Sequence, residues 1–245
     1  MADRIGVVGA GVMGAGIAQA LAASGCEVVC HDVAPEALDR ARRDIRSGRY
    51  GLDAAVTRGL IDASAAEAVV ARISFTRDLS EAADVDVVVE AVPEDLDLKL
   101  AVLRHLDETA PPGTIFASNS SGHPVATLAA ATRRPELVVV WHWASPAVVM
   151  RFAEIVRGPA TADHVVERIT ALAAAAGKNP IVIADSPDQW GYVANRLYGA
   201  MIAAAQAVVA EGIAAPAEVD QLMMDAFRWP SGPFGMVAGA RAGWS

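Results

Sequence analysis

Arg4-Ile5-Gly6-Val7-Val8-Gly9-Ala10-Gly11-Val12-Met13-Gly14-Ala15-Gly16-Ile17-Ala18 is the stretch on which the fold turns. Arg4–Val8 reads as a short buried strand, and Val12–Ala23 as a helix rich in small residues. Between them, Gly9, Gly11 and Gly14 match G-x-G-x-x-G where the pattern has meaning, directly after a strand and opening a helix. In that setting Gly9 permits a tight turn and Gly11 lets the backbone approach a pyrophosphate. Gly14 lets the helix pack closely on the sheet. Val12 and Met13 fill the first helical turn, whose unpaired N–H groups and partial positive charge suit phosphate. Asp32 closes the next strand at about the 20-residue spacing of an acid that hydrogen-bonds an adenosine ribose. Its carboxylate repels a 2′-phosphate and no Arg follows it immediately, so NAD rather than NADP is the expected cofactor. The plainer alternative is an ordinary Gly-rich turn with a surface Asp.

Outward from this motif, strands and helices alternate. Glu27–Asp32 is the next strand, and a helix enters at Pro35, which suits a first helical turn. Arg72–Phe75, Val85–Glu90, Thr114–Ser118, Leu137–Trp141, Arg151–Val156 and Ile181–Ala184 have strand character. From Glu94 to Glu108, Leu96, Leu100, Leu103 and Leu106 recur at helical spacing until Pro111-Pro112-Gly113 stops the run. Another helix, near Ala162–Ala176, closes at Gly177. Strands apolar on both faces and alternating with helices predict a largely parallel sheet covered on both sides. Past Ser186-Pro187 the pattern changes to two long helices, Tyr192–Ala210 and Pro216–Phe227. The expected class is α/β: a Rossmann-type doubly wound NAD-binding domain over residues 1–186, followed by a small all-α domain over 187–245.

Composition narrows the function classes. Hydrophobic residues make up 53% of 245 and charged residues 20%, enough for a sizeable core. A net charge of −9 without a concentrated basic stretch argues against nucleic acid or an anionic membrane as partner. The mean hydropathy of +0.33 is inflated by Ala. No run of about 18 apolar residues escapes a Gly or a polar break, so no membrane span is expected. Cys26 and Cys30 are expected as buried thiols on one strand face, with neither a disulfide nor a metal site. With no signal-like segment ahead of the first strand, the expected compartment is the cytoplasm.

Further motifs give the chain a family resemblance. The fingerprint Val8–Gln19 is followed by Val89-Glu90-Ala91-Val92-Pro93-Glu94-Asp95-Leu96 with Lys99, and by Ser118-Asn119-Ser120-Ser121. Next come a His–x–x–x–Pro element at His142 to Pro146, Glu154, Asn195-Arg196-Leu197 and Ser231-Gly232-Pro233-Phe234. Together these resemble the L-3-hydroxyacyl-CoA dehydrogenase family over nearly the whole chain. The resemblance implies NAD-dependent oxidation of a 3-hydroxyacyl thioester to the 3-ketoacyl thioester. It implies that His142 is the general base, that Glu154, twelve residues later, orients it, and that Ser121 and Asn195 contact the reacting oxygen and thioester. It places Glu94 and Lys99 at the nicotinamide end of the cofactor. The chemistry is coherent on its own terms: imidazole titrates near neutrality, and a carboxylate on its other nitrogen fixes the tautomer. Each residue also has a blander reading: His142 as a structural histidine, Glu154 as an edge charge, Ser121 as a helix cap and Asn195 as a turn partner.

The chain departs from the family pattern in places. His142-Trp143-Ala144-Ser145-Pro146 stands where the family commonly reads His-Phe-Phe-Asn-Pro, and Asp188-Gln189-Trp190 is an insertion before Gly191. The family's CoA-binding Ser and Lys are missing after Asp32, where Arg42, Arg43, Arg46 and Arg49 are the available cations. The substrate carrier is therefore expected to be CoA or an acyl-carrier protein. Val92–Leu96, Glu211-Gly212-Ile213 and Arg228-Trp229 also resemble the gulonate and carnitine dehydrogenase branch, whose substrates are free hydroxyacids. Two readings from other classes stand beside these. One is a hydrolase using Ser121, His142 and Glu154, which lacks a Gly-x-Ser-x-Gly elbow; the other is a non-catalytic NAD-binding protein. The chain ends at Ser245, soon after the Gly-Pro-Phe turn, so an abbreviated helical domain with apolar faces is expected to pair in a homodimer.

Overall fold

A computed structural model describes residues 3–186 and 189–242 of the chain, with no side-chain detail beyond 239. They divide into two compact units, Met1–Trp190 and Gly191–Ser245. Pro187 and Asp188, on which the expected boundary and part of the insertion fall, lie outside the described residues.

In the first unit β1 (Arg4–Val8) leads into α1 (Val12–Ala23), β2 (Glu27–His31), α2 (Pro35–Ser47), α3 (Leu52–Thr57) and α4 (Ala63–Ala71). Then come β3 (Ile73–Thr76), α5 (Leu79–Ala83), β4 (Val87–Glu90), α6 (Leu96–Thr109), β5 (Ile115–Ser118) and α7 (Val125–Ala129). β6 (Val138–Trp143), β7 (Phe152–Arg157), α8 (Asp163–Ala175) and β8 (Asn179–Ala184) complete it. The eight strands form one sheet in the order β3-β2-β1-β4-β5-β6-β7-β8. All neighbours are parallel except β6 and β7, which form an antiparallel hairpin.

Burial explains the alternation read from the sequence. Strands β4, β5 and β6 are buried at every residue, since helices cover both faces of the sheet. Helix α1 packs through Ala15, Ile17, Ala18, Leu21 and Ala22 into the same core as Ile5, Val7, Val28 and Val89. Each fully buried Val, Leu or Ile contributes about 1.5–3 kcal/mol of transfer free energy. Helices α3, α5 and α7 have five or six residues each, shorter than two turns, so periodicity could not reveal them. Helix α4 had a legible start that composition obscured: the Asp62 carboxylate accepts from Ala65 N at 2.7 Å. Strand β8 begins two residues earlier than expected and includes Pro180, which a strand tolerates where no partner needs its N–H.

Both cysteines are free and buried. Burial, reinforced by the negative charge of Asp32, pushes the Cys30 thiol up to about 12, and burial raises Cys26 as well. At about pH 8 both remain protonated and unreactive. A maleimide or aromatic disulfide reagent should therefore leave the native protein unlabelled and modify two thiols once guanidinium unfolds it. Rapid labelling of the folded protein would contradict this burial.

The second unit comprises α9 (Val193–Ala210), α10 (Pro216–Phe227) and α11 (Pro233–Ala242). The Ser231–Phe234 turn is held by Asp220 of α10, whose carboxylate accepts from Phe234 N and Gly235 N, each at 2.8 Å. A carboxylate at the start of α11 satisfies N–H groups left open there and complements the helix dipole. Among the described residues α9 is long and apolar enough to cross a membrane by length and composition, eighteen residues with a mean hydropathy of 1.2. It nevertheless carries Asn195 and Arg196 in its first turn.

Candidate active site

The strand order reverses at β1, whose neighbours β2 and β4 lie on opposite sides. In open α/β sheets the crevice at that switch point, at the carboxyl ends of the strands, is where ligands bind. Gly9, Asp32, Ala91 to Glu94, Asn119 to Ser121 and His142 all lie at or just beyond those ends.

Gly9 has φ +100°, a left-handed value, and an added Cβ would fall 2.6 Å from Ala91 O in the loop after β4. The two loops are joined by Ala91 N donating to Val8 O at 2.7 Å. At Gly14 an added Cβ would sit 1.7 Å from Gly9 O, so only glycine lets α1 come this close to the turn. Gly11 is different, because nothing lies within 4 Å of its notional Cβ. It is the N-cap of α1 and no side chain caps the helix there. The open space in front of uncapped helical N–H groups fits a pyrophosphate. The Asp32 carboxylate accepts from Ala10 N at 2.8 Å and Ala34 N at 2.9 Å. Having room for about four hydrogen bonds, it retains capacity for ribose hydroxyls. These residues fit NAD. Two of the arginines of α2 are taken up elsewhere. Arg46 pairs with Asp53 at 3.1 Å and Glu67 at 2.6 Å, and Arg42 pairs with Asp39 at 2.9 Å and lies over Phe75.

His142 and Glu154 face each other across the β6–β7 hairpin as directly paired residues. The spacing of twelve is therefore hairpin arithmetic, and cross-strand pairing brings the two side chains to one face of the sheet. Nδ1 of His142 lies 2.8 Å from Glu154 Oε2, and both residues are buried. Phe152, on the same face, meets the imidazole edge-on with ring centroids 5.2 Å apart. The alternate residues Trp141 and Trp143 point into the core on the opposite face. Asn119 Oδ1 accepts from Trp143 N at 3.0 Å, tying the end of β5 to the end of β6.

Glu94 and Lys99 come together in a network that runs from the buried Lys99–Glu90 pair out to the exposed Glu94. Lys99 Nζ lies 2.9 Å from Glu90 Oε1, 3.2 Å from Val92 O and 3.3 Å from Glu94 Oε2. The second oxygen of Glu90 accepts from Ser118 Oγ at 2.5 Å. Glu94 Oε1 accepts from Ser120 Oγ at 2.6 Å and from Ser121 N at 2.9 Å, so Ser121 sits beside Glu94. His123 Nε2 is 3.8 Å from the same oxygen. The helix after Pro124 has no side-chain cap, which removes the capping alternative for Ser121. Asn195 occupies the first turn of α9 in the second unit.

Sequence reasoning missed Glu90, Ser118, Ser120 and Asn119 as individual contributors. Glu90 carried a signal, since a carboxylate ending an otherwise all-valine strand must find a cation.

The family described as "3-hydroxyacyl-CoA dehydrogenase, NAD binding domain" matches residues 4–186, and "3-hydroxyacyl-CoA dehydrogenase, C-terminal domain" matches 191–243. The chain belongs to the 3-hydroxyacyl-CoA dehydrogenase family. It is 36% identical over 234 residues to a probable 3-hydroxybutyryl-CoA dehydrogenase of Bacillus subtilis, covering 96% of this chain and 79% of that one. To a protein of the same description in Deinococcus radiodurans it is 38% identical, covering 94% and 80%. The crystal structure of (S)-3-hydroxybutyryl-CoA dehydrogenase from Ralstonia eutropha superposes with a TM-score of 0.90 at 34% identity, covering 95% of this chain and 80% of that one. The chain spans about half of an Escherichia coli 3-hydroxybutyryl-CoA dehydrogenase structure, 48% of its length, with a TM-score of 0.88. As a member of the 3-hydroxyacyl-CoA dehydrogenase family, the chain is an NAD-dependent oxidoreductase acting on a CH–OH group. Membership sets aside the hydrolase reading of Ser121, His142 and Glu154.

Proposed function

We propose that this chain oxidises the β-hydroxyl of a short 3-hydroxyacyl-CoA to the ketone, with His142 as general base. The observation that carries the reading is the buried 2.8 Å contact between His142 Nδ1 and Glu154, beside the NAD fingerprint. NAD, when bound, supplies the hydride acceptor. His142 takes the hydroxyl proton on Nε2 while Nδ1–H donates to Glu154, whose charge stabilises the imidazolium that forms. The pair stays buried, so that charge is screened little by water. Ser121 and Asn195 supply neutral donors to the developing oxyanion and the thioester. Glu94, held by Ser120 and the Ser121 amide, and Lys99, neutralised by Glu90, order the nicotinamide end. Gly9, Gly11, Val12, Met13, Gly14 and Asp32 hold the pyrophosphate and ribose.

The test is NADH formation from 3-hydroxybutyryl-CoA, a 3-hydroxybutyryl-carrier protein and free 3-hydroxyacids, each at matched concentration. Turnover of the CoA ester at ten times the rate of the others or more supports the reading. Preference for the carrier protein, preference for a free acid, or NAD binding without turnover each overturns it.

Residues 1–186 form the cofactor domain in this reading and 187–245 a pairing domain. The exposed Leu197, Leu222 and Phe227 give the helical unit an apolar surface that a second copy covers, making a cytoplasmic homodimer. Asp32→Ala removes both the ribose ligand and the charge that repels a 2′-phosphate. Its KM for NAD should rise by about tenfold or more while that for NADP falls. Unchanged discrimination would show that another group selects the cofactor.

A further inference from the structure

Lys178 immediately precedes β8 and lies outside both the glycine fingerprint and the His142–Pro146 element. The residue is only 6% exposed. Its ammonium donates to Ala147 O and, at 2.8 Å, to Met150 O. It also lies 5.0 Å from the centre of the Trp143 ring, within cation–π range. The other buried charges of the described chain, Glu90, Lys99, Asp107 and Glu154, each face an opposite charge or an imidazole. Lys178 faces two carbonyls and an indole. Burial accordingly pushes its ammonium below the usual lysine range. A buried cation without a counter-ion is a poor way to gain stability, because an apolar side chain would avoid the desolvation loss.

Its three partners locate its role. Trp143 follows His142 on β6, while Ala147 and Met150 lie in the loop that carries the chain from β6 to β7 and so to Glu154. That loop turns on Pro146, whose carbonyl accepts from Val149 N and Met150 N, each at 3.0 Å. On its other side Ala147 abuts the cofactor helix, where a Cβ added at Gly16 of α1 would lie 3.1 Å from Ala147 Cβ. The loop is thus wedged between Lys178 and α1.

We infer that Lys178 is a positioning residue: it clamps the β6–β7 loop against the cofactor helix and so fixes where the His142–Glu154 pair stands relative to the bound cofactor. This rests on the reading of His142 as the base. The partners of Lys178 are Ala147, Met150 and Trp143 rather than residues of the pyrophosphate turn, so its loss should act on the turnover step and leave cofactor affinity alone. A displacement near 1 Å of a catalytic group lowers rates by about a hundredfold.

Lys178→Met, which retains the stem and removes the donors, is compared with His142→Gln and the parent enzyme. Folding is checked by circular dichroism, NAD affinity by calorimetry, and kcat and KM with 3-hydroxybutyryl-CoA. The clamp is supported if folded K178M loses about 10- to 100-fold in kcat, its Kd for NAD stays within about threefold, and H142Q is inactive. If H142Q is inactive but K178M lowers only Tm and keeps the parent kcat, the clamp is wrong and the base assignment stands. If H142Q turns over normally, the reading of the base falls and the clamp with it. Should K178M fail to fold, Lys178→Gln retains one donor group and should give an intermediate kcat; a kcat equal to the parent's overturns the inference.

Discussion

His142→Gln is expected to lower kcat with the best thioester substrate by about 10²–10⁴-fold, the usual contribution of a positioned general base. Gln suits this test because its amide can still donate to Glu154, which otherwise loses its imidazole partner inside the sheet. The fold should therefore survive, and NAD should bind with nearly the parent affinity, since the fingerprint turn belongs to β1 and α1. Glu154→Gln should have a smaller effect in the same direction, because the imidazole remains but its tautomer and its charged form lose support. Steady-state rates measured on folded protein decide the matter. Turnover of H142Q within tenfold of the parent would remove the base from the mechanism.

Gly14→Ala is expected to weaken NAD binding by about a hundredfold or more. The new Cβ would lie 1.7 Å from the Gly9 carbonyl oxygen, which is backbone and has no rotamer to escape into. Either α1 moves off the sheet or the turn opens, and overpacking of this kind costs about 1–3 kcal/mol of stability. Gly11→Ala provides the contrast. Its Cβ meets no protein atom within 4 Å, so it should lower stability by less than about 1 kcal/mol as an N-cap change. It should still weaken NAD, because the methyl enters space the pyrophosphate needs. Calorimetric titration with NAD alongside thermal melts separates the two. A G14A protein that binds NAD like the parent would show that the turn tolerates what the geometry forbids.

The two experiments probe parts of the site that were legible in the sequence to different degrees. The fingerprint could be read whole, because strand, turn and helix are contiguous and each glycine answers a local constraint of backbone geometry. The His142–Glu154 spacing could be read only through a family resemblance. Its physical cause is the reversal of β7, and nothing in a run of strand-like residues announces that one neighbour of a parallel sheet runs backwards. Asn119 and Lys178 show the limit more sharply. Each looks unremarkable in its own segment and acquires a role from a partner delivered by strand order. Asn119 reaches the backbone of β6 because β5 lies beside it, and Lys178 reaches Ala147 because β8 pairs with β7.

Taken alone, the amino-acid sequence determined the class of fold and NAD as the cofactor. The fold class follows from the alternation of strand and helix patterns along the chain, and the cofactor from turn chemistry and charge within about 30 consecutive residues. Tertiary structure alone decided that Glu154 pairs with His142 across a hairpin, what Asn119 ties together and what holds the β6–β7 loop. Those contacts join residues brought together by sheet register, and register is settled by the packing of the whole core.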